Sequence, residues 1–214
     1  MITALATRSP AALVAHYDAA LANHGDTARG ACWPNEADRR RRFAVMAGVA
    51  PGGRPGRLLD IGCGTGGLLS WLEGEGRRPA GYLGLDLSTA ALTHARRRNP
   101  GGRFLQADLL TDPPEERFDH VVASGLFTLR AGVGEAEMWD FLQAMVAAMW
   151  ARAEGGIAFN VMSAVVDWRR DDLFHVPSDR LLAFLFKLGG RRVTLRNDYD
   201  LWEYTAYLHR EPGA

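Results

Sequence analysis

The stretch Leu58-Leu59-Asp60-Ile61-Gly62-Cys63-Gly64-Thr65-Gly66-Gly67 restricts this chain more than any other part of it. Leu58, Leu59 and Ile61 supply the apolar run of a strand buried on both faces, the kind found in parallel sheets. The glycines behind it let the backbone turn tightly and pass close to a ligand, because no Cβ intervenes. A helix is expected to begin near Gly67. The loop then delivers backbone N–H groups at a helix N-terminus, where polar or anionic groups are favoured. Two spacings coexist. Gly62, Gly64 and Gly67 fit G-x-G-x-x-G, the dinucleotide spacing. Gly62, Gly64 and Gly66 fit the tighter G-x-G-x-G, with Asp60 two residues ahead. A carboxylate at the entrance to the loop suits a cationic ligand and opposes a pyrophosphate.

The rest of the chain alternates. Ser9-Pro10 starts a first helix with Leu13, Tyr17 and Leu21 on one stripe and Gly25 at its end. Residues 1–8 are expected to be loose or lid-like. Asn35 caps a second helix, with Glu36 and Asp38 in its first turn and Phe43 and Met46 facing inward. The run Arg39 to Arg42 on that helix is read as a solvated face paired with local acids. After a turn-rich linker, strands are expected at 57–61, 81–86, 103–108, 118–124 and 155–162, with helices between them. Helix 134–153 carries Met138, Phe141, Leu142, Met145 and Met149 at helical spacing. Ser178 caps a last helix, and strands at 191–197 and 201–209 form a closing hairpin. Alternation of this kind implies an α/β fold with a doubly wound, mostly parallel sheet. The final hairpin adds one antiparallel strand, for a seven-stranded Rossmann-like sheet.

In this order of elements, and in the Asp-x-Gly-x-Gly-x-Gly loop, the chain resembles the class I S-adenosylmethionine-dependent methyltransferases. A small bacterial subgroup is suggested by His24-Gly25 to Trp33, Ala123-Ser124-Gly125, Phe159-Asn160, Asp198-Tyr199 and Glu203-Tyr204. The resemblance implies S-adenosylmethionine as cofactor and S-adenosylhomocysteine as product. It places Asp60, Gly62, Cys63, Gly64 and Gly66 along the methionine half. Asp86 stands at the end of the second strand, on the ribose hydroxyls, with Leu87 packing on the adenine. Asp108, with Leu109 beside it, stands where the family accepts from the adenine amino group, and Ser124 presents backbone groups under the methionine portion. An acid at the Asp86 offset also serves nicotinamide enzymes, so an NAD(P)-dependent oxidoreductase stays open as an alternative.

The acceptor side is less marked. Methyl transfer from a sulfonium is an in-line displacement that needs a general base only when the acceptor must lose a proton. Candidates are His16, Tyr17, His24, Asn160, Asp167, His175 and Tyr199, with Arg29, Trp33 and Trp168 as substrate-binding candidates. Residues 1–50 are expected to form a helical lid over a methyltransferase domain at 51–214, and the loop 163–177 the other wall of the acceptor pocket. The expected acceptor is a small molecule, methylated at oxygen, nitrogen or carbon. The chain holds 25 basic and 25 acidic residues, a zero balance that speaks against nucleic acid as partner. It lacks the Asn-Pro-Pro-Tyr motif of base-amine methylation, yet RNA or protein acceptors remain an alternative. No apolar run reaches membrane-spanning length and no secretory signal is recognised. Cys32 and Cys63 form no C-x-x-C, so no metal site is expected, and a cytoplasmic monomer or homodimer is the simple reading.

Overall fold

The computed structural model describes residues 10–211. The expectations for residues 1–8 and for Ser9 as N-cap lie outside that range. The elements are α1 (Pro10–His24), α2 (Glu36–Ala47), β1 (Arg57–Ile61), α3 (Gly67–Gly74), β2 (Gly81–Asp86), α4 (Thr89–Arg98), β3 (Arg103–Gln106), β4 (Phe118–Ala123), α5 (Glu135–Arg152), β5 (Ala153–Ser163), β6 (His175–Val176), α6 (Ser178–Gly189), β7 (Val193–Arg196) and β8 (Glu203–His209). A 3-10 turn at Arg29–Ala31 bridges α1 and α2.

The sheet runs β3-β2-β1-β4-β5-β8-β7. Strands β1 to β5 pair in parallel. The last strand, β8, lies antiparallel between β5 and β7, as the closing hairpin predicts. Strand order reverses between β1 and β4, which opens a crevice at their carboxyl ends. The two-residue β6 adds to the end of β5 and makes the strands eight rather than seven. Two residues carry no period that a sequence pattern can register. Strands β3 and β4 stop at Gln106 and Ala123, which leaves Asp108 and Ser124 in the loops beyond. Ser178 is the first helical residue of α6 rather than its cap; Pro177 stands at the cap.

Alternation along the buried strands divides the core. Leu59, Ile61, Leu83, Leu85 and Val121 face α5 and α6. Leu58, Tyr82, Val122 and Ala158 face the side covered by α2, α3 and α4. On α2, Phe43 and Met46 are buried as the spacing predicts, and Asn35 caps the helix by accepting from the Asp38 N–H at 2.9 Å. The arginine run departs from its expected exposure. Arg42 is buried and donates from Nε and Nη2 to Glu203 Oε2, both at 3.0 Å. Glu203 Oε1 accepts from Asn160 Nδ2 at 3.0 Å, and Asn160 Oδ1 accepts from the Gly125 N–H at 2.7 Å. The Arg42 guanidinium also lies 4.0 Å over the Trp33 ring. This network joins α2, β5, β8 and the loop after β4.

In the loop after β1, Gly62, Gly64 and Gly66 all take positive φ (68°, 53° and 73°), whereas Gly67 is already helical. The tighter of the two glycine spacings is therefore the one the backbone uses. At Gly64 an added Cβ meets nothing within 4 Å; at Gly66 it meets Asn99 Nδ2 at 2.6 Å. Gly64→Ala should cost only the left-handed penalty of about 1–2 kcal/mol. Gly66→Ala should cost more, because buried Asn99 must also give way. Urea unfolding of the two variants checks this, and equal losses would contradict the packing described.

Candidate active site

One cavity opens over the carboxyl ends of β1, β2 and β4, roofed by α1 and the turn that follows it. Its floor is the glycine loop. Asp60 is buried at the end of β1, where Oδ2 accepts from the Tyr82 hydroxyl at 2.8 Å. Asp86 closes β2 and accepts from the Gly64 N–H and the Ser88 N–H, each at 2.8 Å. Each carboxylate oxygen has a second lone pair, so Asp86 keeps capacity for two more donors. Asp108 Oδ1 accepts from the Leu110 N–H at 2.9 Å, which fixes the turn after β3. Ser124 Oγ is buried with no hydrogen-bond partner.

The roof is tied down by acids. Asp18 on α1 accepts from Ser88 Oγ, the side chain that also caps α4. Asp26 accepts from Thr65 Oγ1 at 2.6 Å and pairs with Arg98 at 2.8 Å. Trp33 lies against Gly125, where an added Cβ would fall 2.5 Å from the indole. Arg39 lines the cavity beside Gly67, paired with Glu36 at 2.8 Å and with its Nε buried and unpartnered.

Burial dominates the electrostatics. It pushes the Asp60 carboxyl up to about 7, with the Asp86 charge adding and the Tyr82 hydrogen bond opposing. Burial raises Asp86 as well, against the backbone donors of Ser88 and Gly64. Burial holds these carboxyls toward their neutral form, and a cation placed beside them would favour the ionised form.

The comparisons with known proteins converge. A model of a methyltransferase domain family matches residues 58–149. A putative methyltransferase of Mycobacterium tuberculosis is 29% identical over 159 residues, 73% of this chain and 94% of the relative. These matches bear out the resemblance to the class I S-adenosylmethionine-dependent methyltransferases. A trans-aconitate 2-methyltransferase of Methylobacterium nodulans is 39% identical over 90 residues, but the match spans 42% of this chain and only 34% of that protein. Among solved structures, a DhpI-SAM-HEP complex aligns with a TM-score of 0.65 at 17% identity, covering 94% of this chain and 97% of that one. Magnesium protoporphyrin IX methyltransferase from Synechocystis with bound SAH aligns at 0.62 and 15% identity, covering 82% and 84%. At these identities the structures speak for the fold.

In this methyltransferase, nine of the ten residues expected around the cofactor line the cavity: Asp60, Gly62, Cys63, Gly64, Asp86, Leu87, Asp108, Leu109 and Ser124. Gly66 stands behind the loop, against Asn99 and Phe104. Of the acceptor-side candidates, Tyr17 and Trp33 line the cavity. The others are placed elsewhere. His16 is exposed, near Cys32 Sγ at 3.6 Å. His24 and Arg29 are exposed. Asn160 is enclosed in the Arg42 network. Tyr199 is buried and shares a hydrogen bond with Thr205 at 2.9 Å; burial raises its hydroxyl. His175 and Trp168 meet edge to face, with His175 Nδ1 donating to the Ser163 carbonyl at 2.7 Å. No residue of the loop 163–177 is in the cavity wall; the loop packs behind it, where Leu129 bridges Leu173. Sequence reasoning missed Arg39. Its signal was present: it stands four residues before inward-facing Phe43, on the same face of α2.

Because the folded pKa of Asp60 lies above the unfolded value of about 3.9, the ionised form costs the folded state stability. Stability contributed by this group is fullest below about pH 4 and falls as pH rises toward about 7. Asp60→Asn should remove that fall, so its urea midpoint should gain on the wild type steadily across this window. A difference independent of pH would contradict the raised Asp60.

Proposed function

We propose that this methyltransferase moves a methyl group from S-adenosylmethionine to a small-molecule acceptor held in the same cavity. The observation that carries the reading is the set of three carboxylates, Asp60, Asp86 and Asp108, at or just beyond the ends of three neighbouring strands, all facing one cavity beside a loop built from three positive-φ glycines. The residues fit the cofactor. Asp86 has acceptor capacity left for a ribose diol. Asp108 accepts from the adenine amino group, and Leu87 and Leu109 pack on the ring. Asp60 and the loop carbonyls hold the ammonium. Arg39, beside the N-terminus of α3, pairs with the carboxylate, a match of planar fork to carboxylate. When bound, S-adenosylmethionine supplies an electrophilic methyl group on its sulfonium.

The chain's own task is then to orient and to exclude water. Orientation of two reactants supplies about 7–11 kcal/mol in well-aligned systems. Helix α1 and Trp33 cover the cavity, which supports residues 1–50 as a lid on a domain at 51–214. Relatives named as ubiquinone biosynthesis and fatty-acid O-methyltransferases support a small acceptor. The acidic wall speaks against RNA. Among the described residues no helix is long and apolar enough to cross a membrane. Two free cysteines favour a reducing, cytoplasmic location.

Asp86→Asn tests the assignment, since it keeps the size of the side chain but loses the second strong acceptor. S-adenosylmethionine should bind about tenfold more weakly or worse, on the usual worth of a charge-assisted hydrogen bond. Arg39→Gln should weaken it similarly. Unchanged affinity in Asp86→Asn would contradict the cofactor pose.

A further inference from the structure

The cavity's charges say what kind of acceptor it takes. Among the described residues, its wall holds five carboxylates, Asp18, Asp26, Asp60, Asp86 and Asp108, and a single cation, Arg39. The cofactor itself carries one carboxylate, and Arg39 is the one cation in the described wall placed to meet it. No second arginine, lysine or histidine of the described wall is left for an acidic acceptor. The remaining wall is apolar: Leu13 and Val14 from α1, Trp33, Leu126 and Leu129 after β4, and Phe141 from α5. Within it, Ser124 Oγ is a buried hydroxyl with no hydrogen-bond partner.

We infer that the acceptor is an uncharged, largely apolar molecule with one polar group, and that polyanionic acceptors are rejected. This rests on the methyltransferase reading above. An acceptor carboxylate or phosphate in this cavity would lose its water, meet no free cation of the described wall and stand among carboxylates, which is costly in a low dielectric. An apolar body would cover leucine and aromatic surface and gain in proportion to the area removed from water. The one polar group is the nucleophile that the transferred methyl requires. The inference separates this chain from relatives named for the tricarboxylate trans-aconitate, one of which is 39% identical over 90 residues.

The test is a titration of the purified protein, with and without saturating S-adenosylhomocysteine, using three probes: 2-naphthol, 2-naphthyl phosphate and trans-aconitate. The naphthol should bind at least about tenfold more tightly than its phosphate, and trans-aconitate should not compete. Leu126→Arg supplies the missing cation and should raise affinity for the naphthyl phosphate by about tenfold. Equal or tighter binding of the phosphate or of trans-aconitate by the wild type would overturn the inference, as would failure of the naphthol to bind. Failure of S-adenosylhomocysteine to bind overturns the cofactor reading, whereas a preference for the phosphate with S-adenosylhomocysteine bound overturns the acceptor inference alone.

Discussion

The buried ion pair between Arg42 and Glu203 joins parts of the chain 161 residues apart, and the shape of the site depends on it. Glu203 belongs to β8, the last strand; Arg42 belongs to α2, near the start. Between them the pair fixes Asn160 on β5, and through Asn160 the backbone at Gly125, the floor of the cavity at the end of β4. The other face of the same guanidinium carries Trp33, whose ring in turn rests on Gly125. The circuit closes on itself. Such a pair is expensive to bury, and removing one partner typically costs about 3–5 kcal/mol, because the other charge is left in the core. It contributes little as net stability but specifies one arrangement of roof, floor and sheet.

A second constraint acts inside the site. Asp60 is forced into the core by the register of β1, because it shares a face with Leu58 and stands beside Tyr82. A carboxylate there is uncomfortable until a cation arrives. The same holds more mildly for Asp86. The site is thus poised electrostatically for a ligand of positive charge, and the apolar wall beyond it is suited to a partner of none. Both properties follow from where strand alternation and loop glycines place a handful of side chains.

The frame of the molecule was legible in the sequence wherever a period or a turn residue marked it. Apolar runs located β1, β2, β4 and β5; Asn35 marked a helix start; the glycines and strand-end acids marked the cavity. What stayed hidden depended on distant partners. Arg42 reads as one of four surface arginines until Glu203 is placed against it. Asn160 reads as a polar group at a strand end, open to an acceptor, until Gly125 and Glu203 consume both ends of its amide. Trp168 and His175 read as pocket walls by chain position, yet the two-residue β6 draws their loop behind the cavity. Arg39 was a missed reading rather than an unreadable one, since its helical spacing from Phe43 already turns it inward.

The most direct measurement is a calorimetric titration of the wild-type protein with S-adenosylmethionine, S-adenosylhomocysteine and NAD. The structure predicts micromolar binding of both adenosyl compounds, about −8 kcal/mol on the usual arithmetic, and no binding of NAD, whose pyrophosphate would face Asp60. Binding of NAD without either adenosyl compound would contradict the account at its centre.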